Sequence, residues 1–253
     1  MITPQQVTPE MLALFDINRP TMPRAFSVLD GITRGDILVD DSAPPTWAVV
    51  RDALFGTLYI GGQVDAALLN SIVERFRQSG QVGIASWLDD PLNEILPSDP
   101  DYDGRTLYFT KRLPGEEEPS IRLPQGYSLL PRDEHLLSRS FDYEATLHAF
   151  GSVENILQHT LGVFILDGDT VVCEAATGAP TQGLIEMGVT TADGYRGRGF
   201  ATAACIHLIE MCESRGFNTW WDCAKQNTAS VRLAKKLGYQ NQQEYRYVWW
   251  AKK

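Results

Sequence analysis

Glu186-Met187-Gly188-Val189-Thr190-Thr191-Ala192-Asp193-Gly194-Tyr195-Arg196-Gly197-Arg198-Gly199-Phe200-Ala201 is the stretch that decides how this chain is read. An apolar, β-branched run leads into a turn at Asp193-Gly194, then Arg-Gly-Arg-Gly, then an amphipathic segment. That order predicts a strand, a glycine-rich turn and a helix N-terminus. The first N–H groups of a helix have no acceptor inside it and carry partial positive charge, so such a turn seats anions. Gly197 and Gly199 lack a Cβ, which lets the backbone approach a phosphate. The chemistry implied is a pyrophosphate held on backbone amides. The spacing is not the three-glycine dinucleotide fingerprint, and no Gly-Lys-Ser/Thr follows to make a P-loop.

Downstream, Ala201, Ala204, Cys205, Leu208, Ile209, Met211 and Cys212 recur at helical spacing, and Gly216 ends the helix. Phe217 to Cys223 reads as a short buried strand. Asn227 and Ser230 open a second helix with Val231, Leu233, Ala234 and Leu237 as its apolar face, ending at Gly238-Tyr239; Tyr245 to Trp250 forms a last strand. On these residues the segment 185–250 resembles the GNAT superfamily of acetyl-coenzyme A-dependent N-acetyltransferases. Arg196-x-x-Gly199-x-Ala201 matches its Arg/Gln-x-x-Gly-x-Gly/Ala turn, and Asn227-x-x-Ser230 through Gly238-Tyr239 matches its second cofactor motif. Within it, the chain is similar to the subgroup of zwittermicin-type self-resistance acetyltransferases.

The resemblance implies a fold and a site. The fold is α/β (α+β): a GNAT-like mixed twisted sheet flanked by helices, with a smaller N-terminal α+β domain. Acetyl-coenzyme A would lie between the strand at 185–191 and the strand at 218–223, which splay apart. Val189, Thr190 and Thr191 would border the pantetheine and thioester; Arg196, Gly197, Arg198, Gly199, Phe200 and Ala201 would hold the pyrophosphate, with one of the two arginines equally readable as a solvated group. Asn227 is read both as a pantetheine partner and as a helix cap. Ser230 either touches the cofactor or faces solvent. Glu186 is the first choice of general base, against a purely structural carboxylate at that position; Asp222 is the substitute. His148 and His159 fall where relatives bind acceptors. The tyrosine acid of many relatives is replaced here by Ala234, with Tyr245 and Tyr247 as possible substitutes. The implied activity is acetyl transfer to an amine, of a small molecule, by direct attack in a ternary complex. The alternatives are a catalytically degenerate coenzyme A-binding or interaction module, or transfer of another acyl group.

The chain has 253 residues and a formal net charge of −10, with most of the acidic excess in its first half. That argues against a nucleic-acid or acidic-membrane binder. No apolar run approaches the roughly 18 residues of a membrane span, and Met1 to Gln5 does not read as a secretory signal. Cys173, Cys205, Cys212 and Cys223 have neither metal-ligand nor disulfide-scaffold spacing, so a reducing cytoplasm and no metal are expected.

The acidic, proline-flanked segment Leu113 to Ser120 is the best boundary, giving a domain at 1–120 and the acetyltransferase domain at 121–253. In the first, helices are expected near Thr8–Asn18, Arg24–Leu29 and Ala66–Arg77, and strands near 36–39, 46–50, 56–60, 82–87 and 106–112. Its role is packing, homodimerisation or closure of the acceptor site. Gly61-Gly62 is read as a hairpin or cap rather than an anion seat. In the second, strands are expected near 127–130, 162–166 and 170–175, the last two joined through Asp167-Gly168-Asp169.

Overall fold

Alternating and helix-spaced apolar residues sort this chain into two units, each with its own buried core. In the computed structural model, residues 1–4, 6–40, 42–113 and 123–253 are described, so most of the expected connection at 113–120 lies outside the described residues. One unit is Met1–Thr106 with Glu244–Lys253, the other Leu107–Gln243. Both are mixed sheets flanked by helices, the α/β class expected.

The first unit holds α1 (Pro9–Leu12), α2 (Met22–Leu29), β1 (Gly35–Val39), β2 (Trp47–Asp52), β3 (Thr57–Gly62), α3 (Ala66–Arg77) and β4 (Val82–Trp87). It also contains the start of β5 (Tyr102–Arg112) and the end of β11 (Tyr239–Trp250). The strands run β1-β2-β3-β4-β11. β3 and β4 are parallel, which requires a crossover, and α3 supplies it. Asp65 caps α3 by accepting the Leu68 N–H at 2.8 Å, and Leu69, Ile72, Val73 and Phe76 bury its inner face. The first helix is only Pro9–Leu12, shorter than the periodicity predicts, because Asp16 captures the Asn18 N–H at 2.9 Å and turns the chain. Gly61 and Gly62 are close-packing positions: a Cβ at Gly62 would lie 2.2 Å from the Thr46 carbonyl oxygen.

The second unit holds the rest of β5, β6 (Tyr127–Pro131), α4 (Glu134–Leu137), α5 (Tyr143–Phe150), α6 (Val153–His159), β7 (Gly162–Asp167), β8 (Thr170–Thr177) and β9 (Leu184–Thr191). These are followed by α7 (Phe200–Glu213), β10 (Asn218–Ala224), α8 (Thr228–Lys236) and the start of β11. The strand order is β10-β9-β8-β7-β6, antiparallel except for β9 with β10. β11 begins at Tyr239, six residues earlier than expected, and Tyr239 is buried against Trp221 with ring centroids 5.7 Å apart. Ile185 and Met187 of β9 share a core with Phe200, Ala204, Leu208 and Ile209 of α7. Glu186, Gly188 and Thr190 therefore turn to the opposite face. On that face Glu174 of β8 is buried and accepts from Arg132 Nη2 (3.2 Å), Ser140 Oγ (2.8 Å) and the Phe141 N–H (3.1 Å). This network ties the turn ahead of α5 to the sheet.

Candidate active site

The site begins where a ladder stops. β9 and β10 pair in parallel through Asn218↔Leu184, Thr219↔Ile185 and Trp220↔Glu186, and no further. β9 continues to pair with β8 as far as Thr191↔Cys173. Beyond Glu186 and Trp220, Met187–Thr191 and Trp221–Ala224 line the two sides of a hollow of about 790 Å³. That volume is in the range of small-molecule sites.

The orientation of the exposed backbone follows from three hydrogen bonds. Gly178 N–H donates to Glu186 O at 3.1 Å, and Ala192 N–H donates to Val172 O at 2.9 Å, so the even-numbered residues of β9 spend their polar groups on β8. Asn218 N–H donates to Gly183 O at 2.8 Å, so the odd-numbered ones face β10. Past the end of the pairing, the N–H and C=O of Val189 face the hollow. This is an open strand edge inside a cavity, a place for an extended amide-bearing ligand to add as a strand.

The edge runs into the glycine turn. Gly194, Gly197 and Gly199 adopt φ of 82°, 77° and 85°, a region side chains rarely occupy. A Cβ at Gly197 would meet nothing within 4 Å, so the ground above that backbone is open. Gly199 is the N-cap of α7 and has no side-chain cap; Ala203 N–H donates to Gly199 O at 3.0 Å. The N–H groups of Phe200, Ala201 and Thr202 come before that first helical bond and have no acceptor in the helix. A diphosphate fits this cradle.

Eleven of the residues singled out by sequence line the hollow: Val189, Thr190, Thr191, Arg196, Gly197, Gly199, Phe200, Ala201, Asp222, Asn227 and Ser230. Arg196 is largely exposed, donates from Nε to Thr191 O at 3.2 Å and pairs with Asp193 at 3.1 Å. Arg198 does not line it; its guanidinium donates to Tyr127 Oη (3.1 Å) and Gly194 O (2.9 Å) and lies over the Tyr195 ring. Asn227 Oδ1 accepts from Ser230 N–H at 3.1 Å, so it is a helix cap that also borders the hollow. Ser230 Oγ accepts from Trp221 Nε1 at 3.0 Å. Glu186 does not line the hollow either. It is half-buried, one residue before the edge, with its carboxylate over Gly178, where a Cβ would lie 3.5 Å from Oε2.

His148 on α5 and His159 on α6 are also outside the lining. Ala234 is fully buried. Tyr245 and Tyr247 belong to the first unit: Tyr245 is buried edge-on to Trp87, and Tyr247 Oη lies 3.4 Å from Thr57 Oγ1. Neither of these tyrosines lines the hollow. Tyr195, Leu233 and Lys236 do, unremarked in the sequence reading as site residues. Lys236 carries a visible signal, the Lys235-Lys236 pair in the last turn of a helix. Among the described residues no group of three or more His, Cys, Asp or Glu is placed to hold a metal, and no helix is long and apolar enough to cross a membrane.

Comparison with known proteins fits this geometry. The model of the GNAT acetyltransferase family matches residues 16–248, and the chain belongs to that family: it is a GNAT acetyltransferase. An uncharacterized N-acetyltransferase of Bacillus subtilis, YdfB, is 26% identical over 232 residues, 87% of each chain. A GCN5-related N-acetyltransferase-like protein from Streptococcus suis superposes with a TM-score of 0.72 at 26% identity, covering 96% of this chain and 99% of its own. A putative GNAT acetyltransferase from Novosphingobium aromaticivorans has the same fold, with a TM-score of 0.61 at 16% identity over 94% and 98% of the two chains.

The thiols give a direct probe of the hollow. Burial pushes Cys173 up to about 11 and Cys212 up to about 12, and raises fully buried Cys205 well above its usual value. Burial also raises Cys223, but that thiol is only half-buried and lines the hollow. Alkylation at pH 8 is expected to label Cys223 first, with the other three reacting only on unfolding. Saturating coenzyme A should slow the Cys223 reaction; peptide mapping by mass spectrometry reads both results. Equal labelling of Cys223 with and without coenzyme A would place the cofactor elsewhere.

Proposed function

We propose that this chain transfers an acetyl group from acetyl-coenzyme A to an amine of a small molecule, by direct attack in a ternary complex. The observation that carries it is the open edge of β9 at Val189 running straight into an uncapped helix N-terminus at Gly199. The bound thioester supplies the activated acyl group and a thiolate leaving group of ordinary thiol acidity. The protein's own residues bind and orient it. Amides of Gly197–Ala201 take the diphosphate, and the Val189 backbone takes the pantetheine amides and stabilises negative charge on the carbonyl oxygen. Glu186 is the base that keeps the amine neutral, with Asp222 as the substitute. Holding amine and thioester together supplies a large part of the acceleration. The preference for a small-molecule amine rests on the subgroup resemblance. The four free cysteines suit a reducing cytoplasm.

Two measurements test this. Acetyl-coenzyme A at a hundredfold excess over Kd should stabilise the fold by about 2.7 kcal/mol, raising Tm by about 5–10 °C in a domain of this size. No shift at saturation would remove the proposal. A panel of amines screened for thiol release then identifies the acceptor. A second reading, a coenzyme A-binding module without transfer chemistry, is favoured by one observation: Ala234, wholly buried, offers no hydroxyl where many relatives have an acid. Cofactor binding with no thiol release across the panel would support that reading.

A further inference from the structure

The closed end of the hollow has a fixed wall. The first residues beyond the last β9–β10 pair are Met187 and Trp221, and both line the hollow while remaining 3% and 2% exposed. The Trp221 indole is held on two sides. Its Nε1 donates to Ser230 Oγ at 3.0 Å, and Ser230 is set by the Asn227 cap. Its ring packs on Tyr239, whose buried hydroxyl donates to Thr219 Oγ1 at 2.7 Å. Leu233 of α8 adds a further apolar contact to the same cavity. A side chain held in this way cannot swing aside without breaking its part-buried hydrogen bond to Ser230 and its packing on Tyr239.

We infer that Trp221 and Met187 restrict the donor to short acyl groups, acetyl above all, by closing the space into which a longer chain would extend. This deepens the proposed function and rests on it. A thioester anchored by its diphosphate at Gly197–Ala201 and paired along Val189 directs its acyl group toward the end of the hollow where the strands meet. That end lies some four residues, about 13 Å of strand, from Thr191. Extra methylenes there push against packed side chains, which interiors resist.

The test needs no acceptor. Isothermal titration of the full chain with coenzyme A, acetyl-, butyryl- and hexanoyl-coenzyme A should give similar Kd values for the first two and hexanoyl binding weaker than acetyl by about tenfold or more. In Trp221→Leu the hexanoyl penalty should fall below about threefold with acetyl binding kept; Met187→Ala is the second variant should Trp221→Leu fail to fold. Hexanoyl-coenzyme A binding as tightly as acetyl-coenzyme A to the unaltered protein, or an unchanged penalty in the folded variants, overturns the inference while leaving the proposed function standing. Failure of coenzyme A and all its thioesters to bind overturns both.

Discussion

Gly199→Glu is expected to reduce coenzyme A binding at least about a hundredfold while leaving a folded protein. The argument is electrostatic first. Gly199 is the N-cap of α7, and the orphan N–H groups of Phe200, Ala201 and Thr202 converge beside it. A carboxylate placed there takes those donors for itself and repels the diphosphate. Two unit charges about 4 Å apart at an effective dielectric near 20 repel by about 4 kcal/mol, and solvent at this open turn reduces that toward the hundredfold level. The backbone contributes separately: φ at Gly199 is 85°, and a residue with a Cβ in that region costs about 1–2 kcal/mol of stability. Gly199→Ala carries this strain without the charge and separates the two. Titration calorimetry gives the affinities and urea unfolding the stabilities. Affinity retained within about threefold in the glutamate variant would show the turn to be only a turn.

The parts of this site that were legible in the sequence are those fixed by local chemistry. Glycines needing positive φ, an asparagine capping a helix and apolar residues at helical spacing all announce themselves within a few positions, which is why Gly197, Gly199 and Asn227 and the course of α7 and α8 could be read directly. The resemblance implies a cofactor between β9 and β10. What no local pattern could reveal was long-range. Where the β9–β10 ladder stops depends on Trp220 meeting Glu186, 34 residues apart in the chain. Arg198 looks identical to Arg196 in sequence, yet Tyr127 and Gly194 engage it outside the hollow. Ser230 read as either a cofactor contact or a solvated residue, whereas its hydroxyl holds Trp221. The first helix stops at Leu12, short of the expected Asn18, because an Asx turn at Asp16 competes with helical bonding, a contest that side-chain periodicity does not register. The last strand starts before the expected Tyr245, in a stretch where Gln240, Asn241, Gln242 and Gln243 are exposed and carry no apolar alternation to mark it.

Glu186→Gln carries the second large effect. The amide preserves size and shape but cannot accept a proton, so a loss of general-base catalysis appears as a loss of rate without a change of fold. Such a group typically supplies about 10²–10⁴-fold, and a loss of about a hundredfold in kcat at pH 7 is the expected result. The pH dependence distinguishes this role from a structural one. An alkylamine with a pKa near 10 is about one part in a thousand neutral at pH 7, and that fraction grows tenfold with each unit of pH. A base matters most where the amine is protonated, so the deficit of the variant should shrink steadily as pH rises toward 10. A carboxylate that merely braces the sheet would give a deficit independent of pH, or a change in affinity for acetyl-coenzyme A. The placement of Glu186 makes the second outcome separable. Its backbone carbonyl accepts from Gly178 N–H at 3.1 Å, and this bond survives the substitution, as does the alignment of the residues that follow on β9. Affinity for acetyl-coenzyme A is therefore expected to stay within about twofold. An unchanged pH–rate profile in Glu186→Gln would exclude Glu186 and transfer the role to Asp222, which lines the hollow from β10.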